Sequence, residues 1–146
     1  MSWVRVYIHL VFSTKNRIPF LDSPELRKQV FQHIKKNADE KDIWLDCVNG
    51  YSDHVHCLFS LGKEQTISKV AQLLKGESSF WINQNKLTTE KFVWQDDFWA
   101  VGVSESHLAS VRKYIHTQEE HHEKKLFESE ISTFMKKYGW TYVKEN

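Results

Sequence analysis

DIWLDCVNGYSDHVHCLFSL, residues 42–61, reads as two β-strands joined by a short turn. Apolar residues recur in both halves, and the small and polar residues 49–53 separate them. This arrangement is typical of a β-hairpin. His54 and His56 lie two residues apart on the second strand. Both imidazoles should therefore project from the same face of the sheet, about 6.6 Å apart along the strand.

The segments around the hairpin predict an alternation of strands and helices. Residues 3–14, WVRVYIHLVFST, alternate in polarity and predict a strand with one face on a core. Residues 22–41 predict an amphipathic helix with Ser23 as its N-cap and Pro24 at its first helical position. Residues 66–84, which follow the hairpin, predict a second amphipathic helix.

The C-terminal part of the chain adds one more strand and further helices. Residues 91–103 predict a fourth strand with a bulge around Asp96–Asp97, and residues 104–125 predict a third helix. A last short helix is predicted at residues 128–138, because Gly139 suits the position after a helix C-terminus.

This order of elements predicts an α+β fold. The pattern βαββαβ is ferredoxin-like: an antiparallel sheet carries helices on one face, here followed by a C-terminal helix that contains Tyr114. No internal repeat, low-complexity segment or linker interrupts the sequence, so residues 1–146 are expected to form a single domain. A chain of this length can bury a core without a disulfide or a metal to hold it together.

Composition limits the possible environments and partners. The formal net charge is only +1, which gives weak support for a nucleic-acid partner, although basic residues outnumber acidic ones in the first 36 positions. Cys47 and Cys57 are too few for a disulfide framework, and we interpret them as buried thiols in a reducing cytoplasm. No apolar run reaches the length of a membrane span, and the N-terminus does not resemble a signal peptide.

The two histidines of the hairpin are candidate ligands for one divalent cation. A His-x-His pattern is weak by itself, because paired histidines are often ordinary residues of a sheet surface. The segment YIHTQEEHH, residues 114–122, supplies further candidates. On a helix, Tyr114 and Gln118 would share a face with about 6 Å of rise between them. The amide oxygen of Gln118 is a hard ligand that suits Mg²⁺ or Mn²⁺, although each residue alone is more often an ordinary surface side chain.

This set of residues suits chemistry on a phosphodiester. A cation on a non-bridging oxygen neutralises charge and orients the phosphate for in-line attack. A tyrosine hydroxyl close to such an ion is a candidate nucleophile. Its attack would give a covalent phosphotyrosine that conserves the bond for rejoining, which fits strand transfer better than hydrolysis.

Five segments of the chain together resemble a known family. They are HLVFSTKNRIPFL at 9–21, DHVH at 53–56, LLKGESSFW at 73–81, WQDDFWAVGVS at 94–104 and YIHTQEEHH at 114–122. In this order they resemble the single-tyrosine HUH transposases of the insertion-sequence 200/605 type, and the resemblance spans nearly the whole chain.

The resemblance implies a function and assigns roles to residues. A member of this family is expected to be a metal-dependent endonuclease and strand transferase that acts as a homodimer, cutting and rejoining single-stranded DNA at hairpin-marked ends through a 5′-phosphotyrosine. Here His54 and His56 match the HUH ligands, Gln118 the third ligand and Tyr114 the nucleophile. In the family the tyrosine helix can serve the histidines of a partner subunit.

Other polar residues are weaker candidates. The candidates for DNA contact, with solvated or packed positions as the alternative, are Arg5, Lys15, Arg17, Lys75, Ser78 and Ser79. We assign no role to His9, and we expect Asp53 to shape the turn before His54.

Several alternatives remain open. The chain could be a domesticated relative, such as an HUH nickase or a REP-type tyrosine transposase, or a replication initiator or relaxase. It could instead be a non-enzymatic module that binds single-stranded nucleic acid through aromatic side chains. A structural zinc site built from Cys47, Cys57 and the histidines is a further option, but it lacks the usual paired spacing.

Overall fold

The structure, a computed structural model, describes residues 1–122, with the backbone alone for residues 121 and 122. In this range the elements are β1 (Val6–Ser13), α1 (Pro24–Glu40), β2 (Trp44–Tyr51), β3 (His54–Leu61), α2 (Ile67–Gln84), β4 (Trp99–Val103), α3 (Leu108–His116) and α4 (Gln118–His122). The strands form one antiparallel sheet in the order β2-β3-β1-β4. This topology confirms the predicted α+β, ferredoxin-like arrangement. The helix predicted at residues 128–138 lies outside the described residues.

The hairpin of β2 and β3 closes tightly. Tyr51 pairs with His54, so only residues 52 and 53 form the turn. Gly50 pairs with Val55, and a Cβ atom on Gly50 would lie 2.1 Å from the carbonyl oxygen of His54. Glycine at this position therefore lets the two strands approach each other directly beside the first histidine.

The main core lies between the sheet and the helices α1 and α2. The side chains of Ile8, Leu10 and Phe12 point from β1 into this core, as the alternation predicts. Ser23 is the N-cap of α1, as predicted, because its hydroxyl accepts a hydrogen bond from the backbone N–H of Leu26 at 3.3 Å.

A second core covers the opposite face of the sheet, beneath α3. It consists of Cys47, Leu58, Leu108, Val111 and Ile115. A bulge between Leu45 and Cys47 changes the alternation of β2, so that Leu45 points into the main core and Cys47 into the second. The expectation that β1 has one buried face is therefore wrong. His9 and Val11, on its other face, are 1% exposed.

Three predicted boundaries also differ from the structure. β1 begins at Val6, after an exposed N-terminal segment. β4 begins only at Trp99, because the chain from residue 91 makes a single bridge, between Thr14 and Trp94, and then leaves the sheet instead of forming a bulged strand. The third helix is not continuous, since Thr117 separates α3 from α4. None of the helices in residues 1–122 is long and apolar enough to cross a membrane.

Candidate active site

His54 opens β3 and is held on both sides. Its Nδ1 lies 2.8 Å from a carboxylate oxygen of Asp53, and its Nε2 lies 3.2 Å from Oε1 of Gln118. The amide of Gln118 is oriented by its own nitrogen, which donates to the carbonyl oxygen of Tyr114 at 3.2 Å. When Nδ1 of His54 carries the proton that Asp53 accepts, a lone pair on Nε2 of His54 faces a lone pair on Oε1 of Gln118. A shared proton or cation stabilises such a contact.

His56 projects from the same face of β3, and a third histidine lies against it. Nε2 of His9, on β1, is 2.9 Å from Nδ1 of His56, and the two rings are 5.1 Å apart between centroids. His9 is 1% exposed. Burial, followed by the charge of His56, holds the pKa of His9 well below its ordinary value. His9 is therefore neutral at pH 7 and can accept a hydrogen bond.

The partners of the two Nδ1 atoms determine which nitrogen is available for a metal. Asp53 accepts from Nδ1 of His54, and neutral His9 can accept from Nδ1 of His56. Each ring then presents a Nε2 lone pair. A second group that fixes the tautomer in this way is the usual setting of a metal-ligating histidine. The two histidines differ in their partners, because the acceptor for His54 is a carboxylate and the acceptor for His56 is an imidazole.

Tyr114 lies on α3 above the histidines of its own chain. Its ring centroid is 5.6 Å from that of His56 and 6.4 Å from that of His9. The hydroxyl oxygen is buried. Because α4 begins at Gln118 directly after the break, both Tyr114 and Gln118 reach the histidines although they do not share a helix. The structure thus brings the four predicted site residues together within one chain.

Polar contacts hold α3 against the sheet. The guanidinium of Arg112 donates to both carboxylate oxygens of Asp46 on β2, at 2.8–3.2 Å. This contact keeps the pKa of the Asp46 carboxyl below its ordinary value. The side-chain amide of Asn49, also on β2, donates to the carbonyl oxygen of Ile115 at 2.9 Å. The strand that precedes the histidines therefore also positions the tyrosine helix.

A buried arginine holds the start of α4. Arg27, on α1, is 6% exposed, and it donates to the carbonyl oxygen of Leu21 at 2.8 Å and to the carboxylate of Glu119 at 2.8 Å. Its guanidinium also lies 4.8 Å from the ring centroid of Tyr51, at the hairpin turn. Since Gln118 directly precedes Glu119, this ion pair contributes to the position of the amide at the site.

The donor atoms fit a hard divalent cation. Two imidazole nitrogens and one amide oxygen converge, and their sources His54, His56 and Gln118 are each 0% exposed. In residues 1–122, no group of three His, Cys, Asp or Glu side chains is arranged to hold a metal ion, so a cation bound by the two histidines would need the Gln118 amide as its third protein ligand. A neutral donor set of this kind leaves positions for water or phosphate oxygens, as Mg²⁺ and Mn²⁺ require.

Comparison with known proteins identifies the family. The model of the family described as "Transposase IS200 like" matches residues 2–118, which include every residue of the site. The chain belongs to the IS200-like transposase family. Transposases of this family act on DNA in the recombination of mobile elements, which agrees with the resemblance noted in the sequence. No curated protein matches the chain.

Two solved structures share the fold of this transposase. A candidate transposase from Deinococcus radiodurans R1 is 21% identical, with a TM-score of 0.63 over 80% of this chain and 93% of the other. A REP-associated tyrosine transposase bound to a REP hairpin is 15% identical, with a TM-score of 0.55 over 81% of this chain and 67% of the other. At these identities the likeness is evidence for the fold alone.

The two thiols of the transposase are unsuited to a zinc site. Cys57 points into the main core and Cys47 into the second core, on opposite faces of the sheet. His54 and His56 share the face of Cys47, so Cys57 cannot join them. Burial raises the pKa of Cys57, and burial together with Asp46 raises that of Cys47 to about 12. The structure therefore contradicts the alternative of a structural zinc site.

The six candidates for DNA contact lie in the segments directly before and after β1 and on α2. The structure does not support DNA contact by Ser78, because the residue is 0% exposed. Its hydroxyl donates to the carbonyl oxygen of Leu74 and accepts from the indole N–H of Trp94. Ser79 donates to the carbonyl oxygen of Gly76 in its own helix.

The four basic candidates differ in their surroundings. Lys75 donates to the carbonyl oxygen of Asp96 at 2.8 Å. Arg5 is exposed and forms a long ion pair with Glu105, at 3.6 Å. Lys15 is exposed, and Arg17 lines a cleft at the end of β1.

Sequence reasoning missed two members of the site. His9 was set aside and Asp53 was assigned to the turn alone, yet each holds Nδ1 of one histidine. The sequence carried a partial signal for His9, because the alternation places it on the same face of β1 as Tyr7 and Val11. That this is also the face of the hairpin histidines follows from the pairing of Val11 with His56, which only the structure shows.

Proposed function

We propose that this transposase cleaves and rejoins single-stranded DNA at hairpin-marked ends of an insertion sequence, with Tyr114 as the nucleophile and Mg²⁺ or Mn²⁺ as cofactor. The observation that carries the proposal is the convergence of His54, His56 and Gln118 beneath the tyrosine in one chain. Membership of the transposase family supports action on DNA.

The proposed reaction exchanges one phosphodiester for another. The Tyr114 oxygen loses its proton and bonds to phosphorus, while the bond from phosphorus to the 3′ oxygen breaks and that oxygen takes a proton. The products are a 5′-phosphotyrosine and a free 3′ hydroxyl, and attack by another 3′ hydroxyl reverses the step. A bound divalent cation would neutralise a non-bridging oxygen and orient the phosphate.

The protein's own residues prepare this step. Asp53 and His9 orient the rings of His54 and His56 so that Nε2 of both rings would donate to the cation. The carbonyl oxygen of Tyr114 accepts from the Gln118 amide nitrogen, which directs the amide oxygen towards His54. Because the ligands and the tyrosine hydroxyl are buried, access of DNA requires movement of the segments that cover them, which include α3 and α4. The contacts from β2 and α1 to these helices then set the cost of opening the site.

The direct test is incubation of the protein with single-stranded oligonucleotides that carry a hairpin, in the presence of Mn²⁺ or Mg²⁺. We expect a covalent adduct that survives denaturation and maps to Tyr114, and none with Tyr114→Phe. Wild type that forms no adduct, or Tyr114→Phe that forms as much, contradicts the mechanism. A transposase also joins two cleaved ends to each other, whereas a nickase yields only cleaved strands that are not rejoined.

The proposal includes a homodimer, supported by the position of β4. In the described residues β4 has a neighbour on one side only, and an exposed strand edge is a common place for pairing between chains. Light scattering of the purified protein tests this state. Because all site residues meet in one chain, mixing His56→Ala with Tyr114→Phe should not restore cleavage. Restored cleavage would show that the tyrosine acts on the partner's histidines.

A further inference from the structure

A cleft lined mainly by polar residues opens beside the candidate active site, on the β4 side of β1. Its walls include Ser13, Asn16 and Arg17 from the end of β1 and the turn after it. Gln95, Asp97 and Trp99, which precede and begin β4, form the opposite wall. In the DNA chemistry proposed above, no role is assigned to this cleft.

The sheet register places the cleft close to the metal ligands. Ser13 pairs with His54, and Val11 pairs with His56 on one side and with Trp99 on the other. Residues that pair directly in an antiparallel sheet share a face, so Trp99 lies on the face of the histidines, about 10 Å from His56 across two strand spacings. A nucleotide next to a phosphate at the metal site can span that distance.

The wall of the cleft contains strained backbone. Asn16 and Arg17 both have φ of 56°, in the left-handed region that non-glycine residues seldom adopt. The turn is held by the backbone N–H of Lys15, which donates to the carbonyl oxygen of Val93 at 2.9 Å, and by the hydroxyl of Thr14, which donates to the carbonyl oxygen of Ile18 at 2.8 Å. Strain of this kind is concentrated at binding sites.

The chemistry of the cleft suits one unstacked nucleobase. An indole such as Trp99 offers a face on which a base can stack. Gln95 accepts at Oε1 from the backbone N–H of Asn16, at 3.5 Å, which leaves its amide nitrogen as the donor end. Asp97 provides a carboxylate, which can only accept, and Arg17 provides a positive charge for the backbone of the strand.

We propose that this cleft binds the base of a nucleotide adjacent to the cleaved phosphate and selects guanine. The inference rests on the proposed function and gives it a sequence preference read by protein side chains. The carboxylate of Asp97 favours a base that presents two neighbouring donors, and the N1–H and N2–H of guanine are such a pair. Thymine presents one N–H between two carbonyl oxygens, which the carboxylate repels.

Asp96 and Trp44 offer matched controls. Asp96 is an exposed neighbour of Asp97 that does not line the cleft, so Asp96→Asn changes the net charge equally. Trp44 is 69% exposed on β2, at the far edge of the sheet, so Trp44→Leu is the control for Trp99→Leu. Circular dichroism and thermal unfolding establish that each variant folds.

The experiment selects bound molecules from a random library of single-stranded DNA, with every variant in the Tyr114→Phe background and in EDTA. Sequencing gives the base preference at each position. We expect one position enriched in guanine, with discrimination against thymine of about 5- to 150-fold. Asp97→Asn should abolish this discrimination and Asp96→Asn should keep it. Trp99→Leu should weaken binding by about 5- to 150-fold, and Trp44→Leu should not.

The outcomes separate this proposal from the proposed function. Equal preferences in wild type, Asp96→Asn and Asp97→Asn overturn the base site, as does a library that shows no binding. A parallel arm captures covalent adducts on proteins with Tyr114 intact and with Mn²⁺. If adducts form and Asp97→Asn has the same base preference as wild type, base selection by the cleft is refuted and the proposed cleavage reaction stands. Loss of adducts together with a preserved guanine preference refutes the nuclease and leaves the cleft intact.

Discussion

Replacing His9 should weaken metal binding although His9 is not itself a ligand. When a cation takes the Nε2 lone pair of His56, the proton of that ring has to be on Nδ1, and Nε2 of His9 accepts it at 2.9 Å. His9→Leu removes the acceptor from a position that is 1% exposed, where water cannot easily replace it. The buried N–H is then left unsatisfied in the metal-bound state.

The size of the effect follows from the cost of that N–H. A buried donor without a partner costs about 1–3 kcal/mol, which corresponds to a loss of about 5- to 150-fold in affinity. Loss of a group that orients a ligand typically reduces metal affinity by about 10- to 100-fold. Both arguments predict a loss of one to two orders of magnitude for His9→Leu. His9→Gln, which keeps an acceptor oxygen at similar reach, should recover most of the affinity.

The assay is titration with Mn²⁺, followed by calorimetry or by electron paramagnetic resonance of the free ion. His116→Leu is the control, because His116 is an exposed histidine on the same helix as the tyrosine. Far-ultraviolet circular dichroism confirms folding of each variant. If His9→Leu binds Mn²⁺ as wild type does, or if His9→Gln binds as weakly as His9→Leu, the role given to His9 is refuted.

Three further predictions concern the scaffold. Gly50→Ala should lower the free energy of unfolding by at least about 2 kcal/mol, because the new Cβ would lie 2.1 Å from the hairpin backbone. Gly76→Ala should raise it by about 0.5–1 kcal/mol, because a Cβ at Gly76 would have no neighbouring atom within 4 Å. Denaturant unfolding measures both. The contact of Asp46 with Arg112 lowers the pKa of the carboxyl, so the stabilisation it gives is present above about pH 4 and is lost as pH falls through the lower folded pKa. Asp46→Asn should therefore make the free energy of unfolding depend less on pH in that acid range. An unchanged pH dependence in the variant would contradict the assignment. The pKa of Cys47, raised to about 12, should leave its thiol unmodified by iodoacetamide at pH 8 in the folded protein, and rapid native-state alkylation detected by mass spectrometry would count against its burial.

The sequence predicted most of the fold because its helices and strands have strong local signals. The alternation of β1, the cap at Ser23 and the turn after Gly50 each depend on near neighbours. The start of β4 was predicted too early, because Phe92 and Trp94 are buried without strand pairing along the whole segment, and burial alone gives a similar apolar pattern. Contacts between distant segments decide that difference.

The site was predicted as a set of residues, and the structure adds how they are held. His54, His56, Tyr114 and Gln118 were identified from spacing and resemblance. The role of His9 depends on the register between β1 and β3, which no local pattern contains. The break at Thr117 was also missed, because the residues on either side favour a helix and the contacts to β2 and α1 lie far away in sequence.

The central claim is that a divalent cation is held directly beneath the tyrosine by side chains of one chain, and a crystal soaked in Mn²⁺ tests it most directly. We expect one anomalous difference peak at about 2.0–2.3 Å from Nε2 of His54, Nε2 of His56 and Oε1 of Gln118, with the Tyr114 hydroxyl facing it. No peak at saturating Mn²⁺, or a peak bound by other side chains, would contradict the account.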